Sequence, residues 1–315
     1  MLKYIARRLA LLFFILFGVS FITFLLMHII PGDHAQFVAI YRYGLDDYSA
    51  QELSFVRKDI GADLPLYRQY LWWISHVIQG DLGYSFITRR PVAGEILVRI
   101  PATLELAAFS IAITVLIALP LGILAARRPY SRLDNFTMIG SLIGVAIPNF
   151  WLGLLLILTF SLTLGILPVA GSGSLAHLVL PAVTLGTGMA AVSTRIVRAS
   201  LLEVLEQDYV ATARAKGLGE GAVLRRHALR NALIPVVTVL GIQLNHLIGG
   251  TVIVETVFAR PGVGKLIVDA IESRDIPVLQ GCVLFLAASF SLVNLMVDIS
   301  YAFLDPRIRY EGGKS

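Results

Sequence analysis

The chain has 315 residues, 57% of them hydrophobic and 15% charged, with a mean hydropathy of +0.77. Soluble domains carry about 25% charged residues, so a membrane protein is indicated before any motif is read. The net charge of +5 does not point to nucleic acid, because the basic residues gather at the ends of apolar runs, where they act as topology signals. The one cysteine, Cys282, excludes a disulfide framework; set among Val283, Leu284 and Phe285, it reads as a small packing or lipid-facing residue rather than a catalytic thiol.

A bilayer core takes about 20 helical residues, and six segments qualify, at about 9–30, 102–125, 136–166, 178–198, 232–256 and 279–303. The first has the charged start of a signal peptide, but its apolar run from Leu9 to Ile30 is too long for one and no small-residue cleavage site follows; it is expected as a retained span. Segment 31–100 is the sizeable aqueous piece, with turn signals at Pro31-Gly32, Gly80-Asp81 and Arg90-Pro91. Within it QYLWWISHVIQ, carrying Trp72 and Trp73 beside Tyr67 and Tyr70, is expected as a helix at the outer interface, a small cap on the spans being the alternative. Glu105 sits near the outer end of the second span, where snorkelling is cheap. The third span is over-long and contains Pro148, which predicts a kink or tilt; Gly140 and Gly144 in it give small-residue packing spacing. The fourth, LVLPAVTLGTGMAAVSTRIVR, is only moderately apolar and rich in small residues, so it belongs inside a bundle.

Charge fixes the expected sidedness. With the N-terminus inside, the inner segments hold Lys3, Arg7 and Arg8, then Arg127, Arg128 and Arg132, the seven from Arg195 to Arg230, and Arg307, Arg309 and Lys314. These are sixteen of the 26 basic residues, so both termini are expected in the cytoplasm.

Between spans four and five runs a charged, Gly-punctuated segment, about 199–231. Leu201, Leu202, Val204, Leu205, Val210 and Ala213 keep helical spacing, Glu203, Glu206 and Asp208 precede an Ala-rich helix, and Gly217 fits a left-handed cap. Ala211, Thr212 and Ala213 predict a small flat face. A short helix, a Gly break and a second helix through Val223 and Leu224 to Arg230 form a knob suited to a partner's groove, an ordinary solvated loop being the alternative.

Polar groups inside spans are costly. Asn245 and His246 are the leading candidates for lining a polar path, and His28 is a weaker one. Asn294 and Asp298 share a helical face at i, i+4, which favours structural glue over an ion relay. The six histidines show no close HxxxH or HxH spacing, and no Walker A loop, GxSxG elbow, HExxH helix or Cys/His cluster is present. No metal site, no bound cofactor and no catalytic residues are expected, and the chain reads as no enzyme by itself. A conduit without fuel runs downhill, couples to an ion, or borrows work from a partner; an ion-coupled carrier or passive channel is the alternative reading.

The triplet Ala211-Thr212-Ala213, Gly217, and the later His227, Leu229 and Arg230 resemble, in degenerate form, the coupling motif of membrane subunits of ABC importers. DYVATARAKGL (208–218) followed by HALRNALIPV (227–236) is similar to the version in the dipeptide/oligopeptide/nickel permease family. The resemblance runs along nearly the whole chain, through YIARRL, IPGD, GDLGYSF, RRPV, PATLELA, PNFWLG, VFARPGVGKL, RDIPVLQG and DPRIR. It implies an all-α, six-span type I ABC importer permease of the bacterial inner membrane, organised as a first span plus extracytoplasmic segment (1–100), a permease core (101–306) and a cytoplasmic tail (307–315). It further implies a second, related permease subunit, two ATPase subunits holding ATP and Mg, an extracytoplasmic binding protein, and a di- or oligopeptide or nickel chelate as cargo. Asp208, Tyr209, Ala211, Thr212, Ala213, Lys216, Gly217, His227 and Arg230 would form the ATPase-coupling loop.

Overall fold

A computed structural model describes residues 2–29, 32–44 and 48–304, without the side chains of 2–10, 27, 34, 245 and 298–304. Lys3, Arg7, Arg8, Asn245, Asp298 and the tail 307–315 therefore lie outside the described side chains. The described residues are helical; the nearest approach to a strand is one antiparallel bridge, Tyr84 to Pro91.

Two compact units interleave along the chain, residues 1–103 with 261–291, and residues 104–260 with 292–315. In the first, α1 (Leu2–Ile29) is followed by α2 (His34–Tyr43), α3 (Ala50–Asp59) and α4 (Leu66–Ile78). These short helices start where side chains can cap them. Asp33 accepts from Ala35 N at 3.0 Å, and Ser49 with Glu52 forms a reciprocal capping box. Ala35, Val38, Ala39 and Val56 are fully buried where α2 meets α3, and each such valine contributes about 1.5–3 kcal/mol. Around the start of α5 (Val92–Arg127), Val92 and Ile96 pack with α12 (Val263–Glu272) and with the first turns of α13 (Ile276–Leu304). Cys282 is fully buried there, so the packing reading holds.

The second unit is built around α8 (Ala176–Leu205) and α11 (Leu229–Val257). Half of the most apolar window of α8 is buried, against 28% for α5, as its small residues predicted. Their use is specific. A Cβ on Gly122 of α5 would stand 2.6 Å from Val197, one on Gly186 of α8 2.8 Å from Ile113, and one on Gly144 of α6 (Arg132–Ala146) 2.9 Å from Ala191. Gly140 faces open space, so only one of the two glycines marked in the third span packs.

Among the described residues, four stretches are long and apolar enough to cross a membrane: Val92–Arg127, Ala176–Leu205, Glu220–Leu244 and Ile276–Val297. The third expected span bends at its proline, as expected, and is broken into two helices rather than being one tilted helix. Helix α6 ends at Ala146, Ile147 is extended, and α7 (Asn149–Leu156), continued by a π turn Ile157–Thr163, leaves at 102°. Proline both lacks the N–H and drives the residue before it out of the helical region, which is why the bend falls at Ile147-Pro148. Counting this pair as one span gives five; the described apolar stretch of α1, Leu11–Leu26, is shorter than the others.

Candidate functional site

Helix α8 does not stop near residue 198 but continues to Leu205, two turns further. The chain then reverses at Gln207, whose carbonyl accepts from Val210 N and Ala211 N, and α9 (Asp208–Ala215) follows. Gly217 takes φ +81°, the left-handed conformation expected of it, and donates to the Arg214 carbonyl at 2.9 Å. A three-residue α10 (Glu220–Ala222) then runs through a π turn, Val223–Ala228, into α11.

Three ties hold α9 against its flanks. Asn231 donates to Tyr209 Oη at 2.8 Å, Arg214 Nε donates to Glu220 at 2.8 Å, and Val210, Ala213 and Val223 bury together over Leu205. The flat face is therefore not the one the sequence suggested. Ala213 is 5% exposed and points inward. The outward face consists of Asp208, Ala211, Thr212 and Ala215, spaced i, i+3, i+4, i+7, and all four are exposed. Tyr209, Lys216 and Arg230 are exposed beside it, and His227 is half-buried in the π turn. A helix face of one carboxylate, two alanines and a threonine brings little bulk and leaves room for close approach by another protein.

Above α9, Arg198 of α8 grips Asp134 of α6 through two hydrogen bonds, one of 2.6 Å, and Asp134 also accepts from Tyr130 N at 2.8 Å. Asp134 is buried. Toward the other end, Glu105 does not merely snorkel. It pairs with Arg260, which is 2% exposed, while half of the Glu105 side chain remains open. In between, Gln243 donates to Ser193 Oγ at 3.0 Å, and Thr114 Oγ1 donates to the Gly186 carbonyl at 3.1 Å. The Asn149 side chain, at the α6–α7 break, reaches the backbone of Gly188 and Gly250, where a Cβ would come within 3.3 and 3.8 Å of its amide.

The candidates for a polar path divide. His28 bonds through its ring nitrogens to the Phe24 carbonyl at 2.8 Å and to Gln69 Oε1 at 3.2 Å, and its ring lies against Phe24, so it behaves as a satisfied packing residue. His246 is exposed and Asn294 half-buried and engaged. His28 belongs to the first compact unit, the other two to the second. Among the described residues no three of His, Cys, Asp and Glu converge as metal ligands would. Sequence reasoning missed Asp134, Arg198, Ser193, Gln243 and Asn149. Gln243 carried the same signal as Asn245, an amide in mid-span.

In the first unit, Asp275 is buried, accepting from Ser85 Oγ and from Phe86 N, the latter at 3.1 Å. Burial outweighs these bonds and pushes its carboxyl above the ordinary range.

With the fold in view, solved structures give the class. An inward-facing form of the MetNI methionine ABC transporter matches with a TM-score of 0.56 at 21% identity, over 66% of this chain and 95% of that one. An amino acid ABC transporter matches with 0.53 at 16% identity, over 68% and 94%. The fold is thus that of a type I ABC importer permease. The family is equally plain: residues 118–310 match the profile of the binding-protein-dependent transport system inner membrane component, residues 1–107 match its N-terminal companion, and the chain belongs to this family. The glutathione transport system permease protein GsiC of Escherichia coli O6:H1 is 45% identical over 311 residues, covering 99% of this chain and all of that protein. GsiC of Shigella flexneri serotype 5b is 44% identical over the same span. The chain is a transport permease subunit and not an enzyme, and a permease of an ABC importer works with ATPase and binding-protein partners.

Proposed function

We propose that this permease passes glutathione or a short peptide of similar size inward across the bacterial inner membrane. The observation that carries the reading is the 45% identity, over 99% of this chain and all of the relative, to a permease of a glutathione transport system. A nickel chelate is the competing cargo. Proteoliposomes holding the chain with its partner subunits and binding protein decide between them: ATP-dependent uptake of labelled glutathione or di- and tripeptides supports the proposal, and uptake of nickel alone overturns it.

In this reading both termini are cytoplasmic, a second permease completes the pathway, and α9 seats its Asp208–Ala211–Thr212–Ala215 face on one of two ATPase subunits that bind ATP and Mg. Tyr209, Lys216, Gly217, His227 and Arg230 frame or support that seat. ATP binding can shift a two-state transporter only through contacts that differ between its states, and a helix tied at both flanks transmits such a difference instead of absorbing it. Through the Arg198–Asp134 bond, displacement of α8 also carries α6, and with it the break at Pro148. Changing Ala211 and Thr212 to Glu should abolish co-purification of the ATPase while leaving the permease folded. Unchanged association and uptake would remove α9 from the interface. Uptake that persists without the ATPase would instead favour a channel or ion-coupled carrier.

A further inference from the structure

The first compact unit holds α4 at an unexpected depth along its neighbours. Tyr70 Oη lies 2.9 Å from Ser20 Oγ, and the Tyr70 ring packs edge-on against Phe17 and Phe21 and against Phe24. Ser20 stands nine residues inside the outer end of α1 at Ile29, about 14 Å at 1.5 Å per residue, which is close to the middle of a hydrocarbon core about 30 Å thick. One long side chain reaching down does not account for this, because Trp73, Ile74 and Val77 join the same cluster with Phe24 and Leu284. Leu284 lies eight residues into α13, about 12 Å from its start. With α1 and α13 taken as spans, two different helices thus place the seated face of α4 below the outer surface of the membrane.

The rest of α4 suits that position. Tyr67, Leu71 and Ile78, at i, i+4 and i+11, form one stripe and are 61%, 58% and 76% exposed, with Trp72 63% exposed beside it. Apart from Arg68, which is exposed and lies 6.0 Å from the Tyr67 ring, and Trp73, whose Nε1 is buried without a hydrogen bond, its polar side chains turn back on the helix itself or on α1. Ser75 Oγ donates to the Trp72 carbonyl at 2.7 Å, His76 Nδ1 contacts the same carbonyl at 2.8 Å, Gln79 Nε2 donates to the Ser75 carbonyl at 2.9 Å, and Gln69 joins His28 to the Leu64 carbonyl. Internal satisfaction of this kind is what a medium poor in water demands.

We propose that α4 is embedded in the outer leaflet and that its Tyr67–Leu71–Ile78 stripe binds lipid acyl chains, making this part of the extracytoplasmic segment a membrane element and not an aqueous cap. The proposal rests on α1 and α13 being spans, and the test separates the two. In the assembled transporter in liposomes, with Cys282→Ala removing the only cysteine, nitroxide labels are placed at Leu71 and Ile78, with Ile22 on the exposed face of α1 and Lys58 on exposed α3 as references. Labels at 71 and 78 should match Ile22 in collision with dissolved oxygen and be several-fold less accessible than Lys58 to a water-soluble nickel chelate. Labels that match Lys58, or that are shielded from both reagents by a covering protein, overturn the proposal. An Ile22 label that itself reads as aqueous overturns the span assignment, and the proposal with it.

Discussion

At Gly217 the backbone needs φ +81° and a Cβ would meet nothing within 4 Å, so the cost of a side chain there is conformational alone. Gly217→Ala should destabilise the turn by about 1–2 kcal/mol and weaken ATPase association without abolishing folding, as titration of the purified partners would read. Asp134→Asn keeps the shape but strips the charge from the bonds to Arg198; hydrogen bonds to charged groups are worth about 1.5–3 kcal/mol, and the loss should appear as a lowered thermal midpoint in detergent. For Asp275 the raised carboxyl fixes the sign. The protonated form is favoured by the fold, so its stabilising contribution is present below the ordinary value of 3.8 and is lost as pH rises through the raised one. Wild type should therefore gain on Asp275→Asn as pH falls from 7 toward 4, measured as the difference between their unfolding midpoints. None of these pairs was legible in the sequence. Asp134 and Arg198 are 64 residues apart, Ser85 and Asp275 are 190, and spacing arguments reach only along one helix.

Among the elements, the broken span gives the sharpest test. In Pro148→Ala the residue at 147 is no longer barred from helical backbone, and α6 and α7 gain a route to straighten; labels at Phe136 and Leu158 should move apart relative to wild type in pulsed spin-label distance measurements, with ATP-driven uptake reduced. Apolar run length showed where spans lie, and a proline showed where one bends, but the bend angle of 102° depends on what α7 packs against, namely Val257 and Phe258 beside Gly153. Helix α9 and its flanks were legible as helix, Gly and helix. Its outward face was not, because Ala213 and Ala215 are alike in composition, and contacts with Leu205 and with Val223, eight residues beyond the second of them, decide which is covered. Changing Ala213 to a large charged residue therefore disturbs packing beneath α9, whereas the same change at Ala211 addresses docking.

For the molecule as a whole, composition, span pattern and a chain-long set of motifs were enough to reach the family, and the fold neighbours agree with it. The interleaving of chain segments was not legible, since residues 261–291 join the N-terminal unit through Val263, Leu266, Ile267 and Cys282 packing on Val92 and Ile96, contacts that no local pattern encodes. Cargo choice was narrowed by relatives rather than by any residue here, as expected where a separate binding protein presents the ligand.

The amide of Asn149 stands against the face that Gly188 leaves bare, where a Cβ would come within 3.3 Å, and lies in ordinary contact range of Gly250. Three positions in three helices thus share one small volume, and their evolutionary histories should be tied. A lineage that acquires a methyl at 188 must shorten 149 or reshape the elbow, so across many descendants these sites should drift in concert or stay frozen.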